Sequence, residues 1–214
     1  MLHQPLLIGL WIGLIHAFDA DHITTLGSLA VRGRPRSAIG YAARWACGHA
    51  VAIGALGALA LGVGMLWIAS VSHAAELGVA TLLIALGINT IVSVWRRETA
   101  QALAGGEARP ARDRSRHQAT GLVMGLLHGG AGSAAVLALL PLSGFDSGFE
   151  AVGFLISFSA GVAAGALAFA ALFSGLLAGT LRRGEAIVAA IASIVGVLAV
   201  VVGAAMLIGN FDGG

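Results

Sequence analysis

Long apolar stretches separated by short polar ones run along the whole chain. A helix needs about 20 apolar residues to cross the hydrocarbon core of a membrane. Six stretches reach that length: 6–30, 38–68, 76–95, 119–141, 150–180 and 186–209. Hydrophobic residues make up 58% of the 214 residues and charged residues only 10%, against about 25% charged in ordinary domains. The pattern predicts an all-α integral membrane protein with six transmembrane helices.

The basic residues are all arginines, and they cluster in alternate connections. The connections after the first, third and fifth spans contain Arg32, Arg34, Arg36, Arg96, Arg97, Arg109, Arg112, Arg114, Arg116, Arg182 and Arg183. The other connections and both termini contain none. Because cytoplasmic loops are enriched in basic residues, we expect a bacterial-type inner-membrane protein with cytoplasmic arginine loops and both termini outside. These arginines touch anionic lipid rather than nucleic acid in this interpretation.

Two segments of the chain resemble each other. Residues 9–16, GLWIGLIH, and 121–128, GLVMGLLH, are identical at five of eight positions. Residues 38–48, AIGYAARWACG, and 151–161, AVGFLISFSAG, share two glycines with the same spacing. Units of three spans must lie in opposite orientations, an arrangement typical of secondary transporters. We therefore predict two inverted three-helix repeats, 1–96 and 118–214, joined by a basic cytoplasmic loop at 97–117.

Four ionisable residues interrupt the first apolar stretch, in the segment HAFDADHI at 16–23. They are His16, Asp19, Asp21 and His22. Two ionised carboxylates in mid-membrane cost on the order of 5 to 7 kcal/mol unless they are neutralised. A proton, an ion pair with Arg44 of the second span, or a bound cation could neutralise them. Two imidazoles beside two carboxylates suit a divalent first-row transition metal.

A straight helix does not aim all four side chains at one ion. At 100° per residue, His16, Asp19 and His22 share an arc of about 120°, whereas Asp21 points elsewhere. Either the helix unwinds locally, as transporter helices do at their binding sites, or Asp21 orients a ligand without touching the metal.

The arrangement His-x4-Asp-His, from His16 to Asp21 and His22, resembles the signature of the nickel/cobalt transporter family of membrane permeases. GHAVAIG, from Gly48, is similar to a second motif of that family. The resemblance implies that His16, Asp21 and His22 recognise Ni²⁺ or Co²⁺, that His49 contributes, and that the ion crosses the membrane. The family's later acidic motif is missing, and the chain is shorter than the eight-helix members, which suggests a six-helix, urease-accessory-type branch.

Two further histidines are candidate metal ligands. His128 ends the second copy of the repeated segment and precedes glycines that weaken a helix, so it is predicted to act as a ligand or a gate. Met1-Leu2-His3 has the spacing with which a free α-amine, two amides and an imidazole can enclose Ni²⁺ in a square plane. An accidental histidine at position 3 is the simpler alternative.

Other functions fit the sequence less well. An anion exporter or proton-coupled permease in which Arg44 pairs with the aspartates stays open as an alternative. No His-Glu-x-x-His motif is present for a membrane metalloprotease, and no enzymatic activity is expected. We predict a transporter whose partners are a divalent metal ion and the lipid bilayer, with no cofactor. The choice among nickel, cobalt, zinc and manganese, the direction, the energy source and homo-oligomer formation stay open.

Overall fold

A computed structural model describes residues 3–31, 35–63, 66–96, 111–131, 144–145, 147–181 and 183–212. These residues are almost entirely helical, and no strand occurs among them. The helices are α1 (His3–His16), α2 (Ala20–Ala30), α3 (Pro35–Val63), α4 (Leu66–Trp95), α5 (Ala111–Gly130), α6 (Gly148–Leu181) and α7 (Glu185–Asp212).

The predicted membrane character is confirmed at the level of individual helices. Segments of α3, α4, α6 and α7 are each long and apolar enough to cross a membrane. The pair α1 and α2, bent by 59°, adds a fifth span if its halves cross as one. The predicted fourth span, 119–141, is described only as far as residue 131, so the count of six stays a prediction.

Two predicted boundaries differ from the structure. The second span was expected to reach residue 68 and the third to begin at 76, but α3 ends at Val63 and α4 begins at Leu66. Apolar and small residues that favour a helix continue through this region, so α4 extends beyond its most hydrophobic part. The last seven residues of the predicted loop 97–117 also belong to α5, while residues 97–110 lie outside the described part.

The helices pack as three pairs: α1 with α6, α3 with α5, and α4 with α7. In the first pair the chains run in the same direction, since Gly9 lies by Phe154 and Gly165 by Ala17. The second pair is parallel too, since Gly121 lies by Tyr41 and Gly129 by Ala52. In the third pair the chains run in opposite directions, since Gly87 lies by Val200 and Gly203 by Ala80.

The ends of α2, α4 and α6 and the starts of α3 and α7 pack together on one side of the helix bundle. Because α5 runs parallel to α3, it starts on that side as well. These helix ends flank the arginine-rich segments of the sequence, so we call this side the arginine-bearing face. The start of α6 lies at the opposite face.

Glycines allow the parallel pairs to approach at backbone distance, and the two pairs do so in the same way. A Cβ on Gly13 would meet the Phe158 carbonyl oxygen, and one on Gly125 would meet the Trp45 carbonyl oxygen. On the partner helices, Gly161 faces the backbone around Gly13 in the same manner as Gly48 faces the backbone around Gly125. Close approach through small residues is a common basis for helix association in lipid.

The outward surface of the described helices is strongly apolar. Exposed side chains include Leu7, Trp11, Ile15, Ile156, Leu172, Ile194, Val201 and Ile208. Soluble monomers rarely expose contiguous apolar surface on this scale. The buried interior instead contains several histidines and hydroxyl side chains. This inside-out polarity fits a multi-pass membrane protein.

Candidate metal centre

The first predicted span is broken at its ionisable residues. Helix α1 ends at His16, residues 17–19 form a turn, and α2 starts at Ala20. Asp19 precedes α2 in an extended conformation, but its side chain does not cap the helix. The predicted choice between local unwinding and a straight helix is thus settled in favour of unwinding. Because of this break, side chains from both half-helices lie close together in the interior of the helix bundle.

Three histidines converge at this break. His16 ends α1, His22 lies in the first turn of α2, and His49 lies in the middle of α3. Their nearest ligand atoms all lie within 4.8 Å of one another. The side chains are 9%, 1% and 1% exposed, respectively. A buried group of three imidazole nitrogens is a donor set that suits zinc, copper, iron and nickel.

Hydrogen bonds orient two of these rings. The Nδ1–H of His16 donates to Asp19 Oδ2 at 2.7 Å, and the Nδ1–H of His22 donates to the His16 carbonyl oxygen at 3.0 Å. Each bond fixes the tautomer that leaves Nε2 with a free lone pair. Metal-binding histidines commonly have such a partner on the second ring nitrogen. Asp19 therefore orients the ring of a candidate ligand, a role that the helical-wheel argument considered for Asp21.

His49 has no such partner. Both of its ring nitrogens are buried and form no hydrogen bond among the described residues. Buried polar groups in native proteins are nearly always paired, because an unpaired group costs about 1–3 kcal/mol. An unpaired imidazole next to two oriented imidazoles is the arrangement expected of a candidate metal ligand.

Asp21 contributes negative charge beside the histidines. Its Oδ2 lies 3.8 Å from His22 Nε2, too far for a hydrogen bond, and its side chain is 22% exposed. Asp19 is more exposed, at 46%. With neutral imidazoles, the two carboxylates together balance the charge of one divalent cation. This balance favours a divalent cation over an anion at the site.

Aromatic rings enclose the cluster on two sides. Trp45 lies one turn before His49 and contacts His22, His49 and His128, with ring centroids 4.7, 5.3 and 5.6 Å apart. Phe158 of α6 stacks on His16 at 5.4 Å. These rings pack against the imidazoles and hold them in place. Neither residue was predicted from the sequence.

His128 lies next to the cluster but is already fully bonded. Its ring centroid is 5.4 Å from that of His22. Its Nδ1–H donates to the Met124 carbonyl oxygen at 2.7 Å, and its Nε2 accepts from Thr25 Oγ1 at 3.1 Å. The predicted ligand or gate is therefore close to the site, and it can bind an ion only if the Thr25 hydrogen bond breaks.

Arg44 does not pair with the aspartates in this structure. It lies exposed on α3, and its Nη1 donates to the Gly40 carbonyl oxygen at 2.9 Å. Among the described residues, Asp19 and Asp21 instead lie beside His16 and His22. The remaining candidate ligand, His3, begins α1, but its side chain and residues 1–2 lie outside the described part. The N-terminal metal site thus stays a prediction.

Some site residues were identifiable from sequence and others were not. The ionisable cluster stood out because charge is rare in apolar spans. Thr25 follows His22 by three positions and so shares its face of α2, a signal that could have been used. Trp45 had no such signal, since aromatic residues are common in membrane helices. No family model, curated protein or solved structure matches this chain.

Proposed function

We propose that the protein is a secondary transporter of a divalent transition-metal ion, with Ni²⁺ or Co²⁺ the favoured substrate and uptake the favoured direction. The observation that carries this proposal is the buried group formed by His16, His22 and His49 at the broken span. Broken helices at a midplane binding site are typical of secondary transporters. An ion there would exchange its hydration shell for imidazole nitrogens.

The spacing of the donors suits an ion that binds after a small contraction. Metal–nitrogen distances are about 2.1 Å, so opposite ligands of one ion lie about 4.2 Å apart and adjacent ones about 3 Å apart. The ligand atoms here lie within 4.8 Å. A shift of roughly 1 Å, within the reach of side-chain rotation, would bring all three into contact with one ion. Asp21 would complete a site of three nitrogens and one oxygen.

The predicted inverted repeat would favour a transport mechanism. Residues 1–96 and 118–214 would be its halves, with His16 equivalent to His128 and α3 equivalent to α6. The same equivalence is supported by two matching contacts: Gly13 lies against the carbonyl oxygen of Phe158, and Gly125 lies against the carbonyl oxygen of Trp45. In such a fold, the two halves rock about a central site and expose it to each face in turn.

The runner-up is a small-anion exporter or proton-coupled permease of related architecture. It requires a cation in the site to offset Asp19 and Asp21 or to bind the anion. Arg44 is exposed and bonded to its own helix, so the interior of the described region favours a cation substrate. The two functions make opposite predictions for transport.

Flux into proteoliposomes separates these functions. Purified protein is reconstituted, and uptake of ⁶³Ni²⁺ or Co²⁺ is compared for wild type, His16→Ala, His22→Ala and His73→Ala. His73 is an exposed histidine of α4 and controls for removal of an imidazole outside the site. The proposal predicts saturable flux that is lost in the first two variants and kept in the third. A wild-type protein that transports a small anion such as sulfite but neither metal would contradict the proposal.

A further inference from the structure

Helix α3 presents a row of buried polar side chains that lack partners. Tyr41, Trp45 and His49 follow one another at intervals of four residues, so they share one face of the helix. Their exposed fractions are 6%, 0% and 1%. The hydroxyl of Tyr41, the indole N–H of Trp45 and both nitrogens of His49 form no hydrogen bond among the described residues. The row runs from the start of α3 to the histidine cluster.

A second helix contributes to the same side. Ser28 of α2 is fully buried, and its hydroxyl also lacks a partner among the described residues. It lies six positions after His22, on the half-helix that runs from the cluster to the arginine-bearing face. Polar groups on two helices therefore lie between the cluster and that face. Buried polar groups without protein partners are normally satisfied by water.

The equivalent positions on α6 carry no polar atoms. Trp45 and Phe158 each present a carbonyl oxygen to a glycine of the paired helix. If Trp45 is equivalent to Phe158, then Tyr41 is equivalent to Phe154, four residues earlier, and His49 to Val162, four residues later. The three α6 side chains are equally buried, at 0% to 1% exposed. Since α6 begins at the face opposite to the start of α3, its apolar row runs from the cluster to that opposite face.

We infer that the histidine cluster exchanges with water through a route along Tyr41, Trp45 and Ser28 to the arginine-bearing face, while Phe154 and Phe158 keep the route to the opposite face dry. That a rehydrated metal ion moves along this route rests on the proposed function, whereas the hydration of the route does not. The unpartnered groups disfavour a dry interior on the α3 side, because they gain hydrogen bonds only when water enters. Water that entered beside the two phenylalanines would find no polar side chain to bond with.

Hydroxyl-radical footprinting tests this asymmetry, because bound water near a buried ring promotes its oxidation. The Tyr41→Phe variant places the same ring at position 41 as at Phe154, the equivalent position on α6, and neither ring carries a polar atom. Oxidation at each position is resolved by peptide mass spectrometry. The metal-free variant and the wild type are labelled in the same detergent after their folding is confirmed by circular dichroism and gel filtration.

In the Tyr41→Phe variant we expect the ring at position 41 to oxidise about fivefold or more faster than the ring of Phe154, because Trp45 and Ser28 still retain water on the α3 side. Trp45 should be labelled as well, and Phe158 should not. Equal rates at positions 41 and 154 would overturn the proposed asymmetry, and a faster rate at position 154 would reverse it. If the variant does not fold, labelling of Trp45 against Phe158 in the wild type decides the same point. The experiment contains no metal, so its outcome is independent of whether nickel is transported.

Discussion

Replacing His49 by leucine separates a structural role of this residue from a metal-binding role. In the metal-free protein, the imidazole brings one donor and one acceptor into the interior without partners. Each such group costs about 1–3 kcal/mol, so the two together cost about 2–6 kcal/mol. A leucine of different shape loses about 1–3 kcal/mol in packing. Taking the middle of each range, and allowing for water that pairs with the imidazole along α3, we expect His49→Leu to raise the free energy of unfolding of the metal-free protein by up to about 2 kcal/mol.

Metal affinity should change in the opposite direction. Structural zinc sites with four ligands are worth about 10–16 kcal/mol, or about 2.5–4 kcal/mol per ligand. At about 1.4 kcal/mol for each factor of ten, loss of the His49 ligand should weaken Ni²⁺ binding roughly 100- to 1000-fold. Stability is measured by denaturant titration in mild detergent, and binding by isothermal titration calorimetry.

His73→Leu provides the control for this experiment. His73 is exposed on α4, so its replacement should leave both stability and Ni²⁺ affinity within error of the wild type. A His49→Leu protein that is less stable than wild type and binds Ni²⁺ equally well would refute the reasoning. In that case His49 would be a packing residue whose nitrogens are satisfied in some other way.

Three further perturbations test other parts of the site. Asp19→Ala removes the carboxylate that orients His16, and calorimetry should show Ni²⁺ affinity falling about 10- to 100-fold, with unchanged affinity counting against that role. Protons compete with metal for imidazole lone pairs, so the affinity for Ni²⁺ should fall between pH 8 and pH 5.5 by up to tenfold per pH unit for each histidine that takes up a proton in the metal-free protein. An affinity that rises as the pH decreases would contradict imidazole ligands. Gly13→Ala and Gly125→Ala should each lower the free energy of unfolding by a similar amount, about 1–3 kcal/mol or more. Gly175→Ala is the control: no atom lies within 4 Å of its Cβ position, so this change should be neutral or stabilising. Unequal effects of the first two substitutions would speak against equivalent helix pairs.

The sequence was most informative where a residue contradicts its surroundings. His16 and His22 stood out because ionisable side chains are costly in an apolar span, and the structure brings both into one buried cluster. The glycines at 13 and 125 were identifiable for a related reason, since their spacing recurs in the repeated segment. Such signals are local and need no knowledge of the fold.

The structure was needed wherever distance along the chain does not give distance in space. A helical wheel assumes an unbroken helix, so it placed Asp19 on the face of His16 and His22 and gave Asp21 a supporting role as one of two alternatives. The turn at 17–19 rotates α2 relative to α1, and Asp19 bonds to His16 instead. Trp45 was also missed, because its three contacts with histidines depend on how α2, α3 and α5 pack together.

The boundary errors have a physical cause as well. The start of α4 was placed too late because hydropathy marks where a helix lies in lipid, whereas backbone hydrogen bonds mark where it begins. The polar positions Ser70, His73 and Glu76 suggested a loop, yet they tolerate a helix that extends past the membrane. The same reasoning explains the polar first half of α5.

X-ray absorption spectroscopy of the nickel-loaded protein tests the central claim most directly, because it counts the imidazoles bound to the metal. The purified protein is loaded with one equivalent of Ni²⁺ at pH 7.5 and measured beside His49→Leu. We predict three histidine ligands at metal–nitrogen distances of about 2.1 Å in the wild type, and two in the variant if it is loaded at saturating metal. A spectrum without imidazole scattering, or one that is identical in both proteins, would contradict the assignment of His16, His22 and His49 as the metal site.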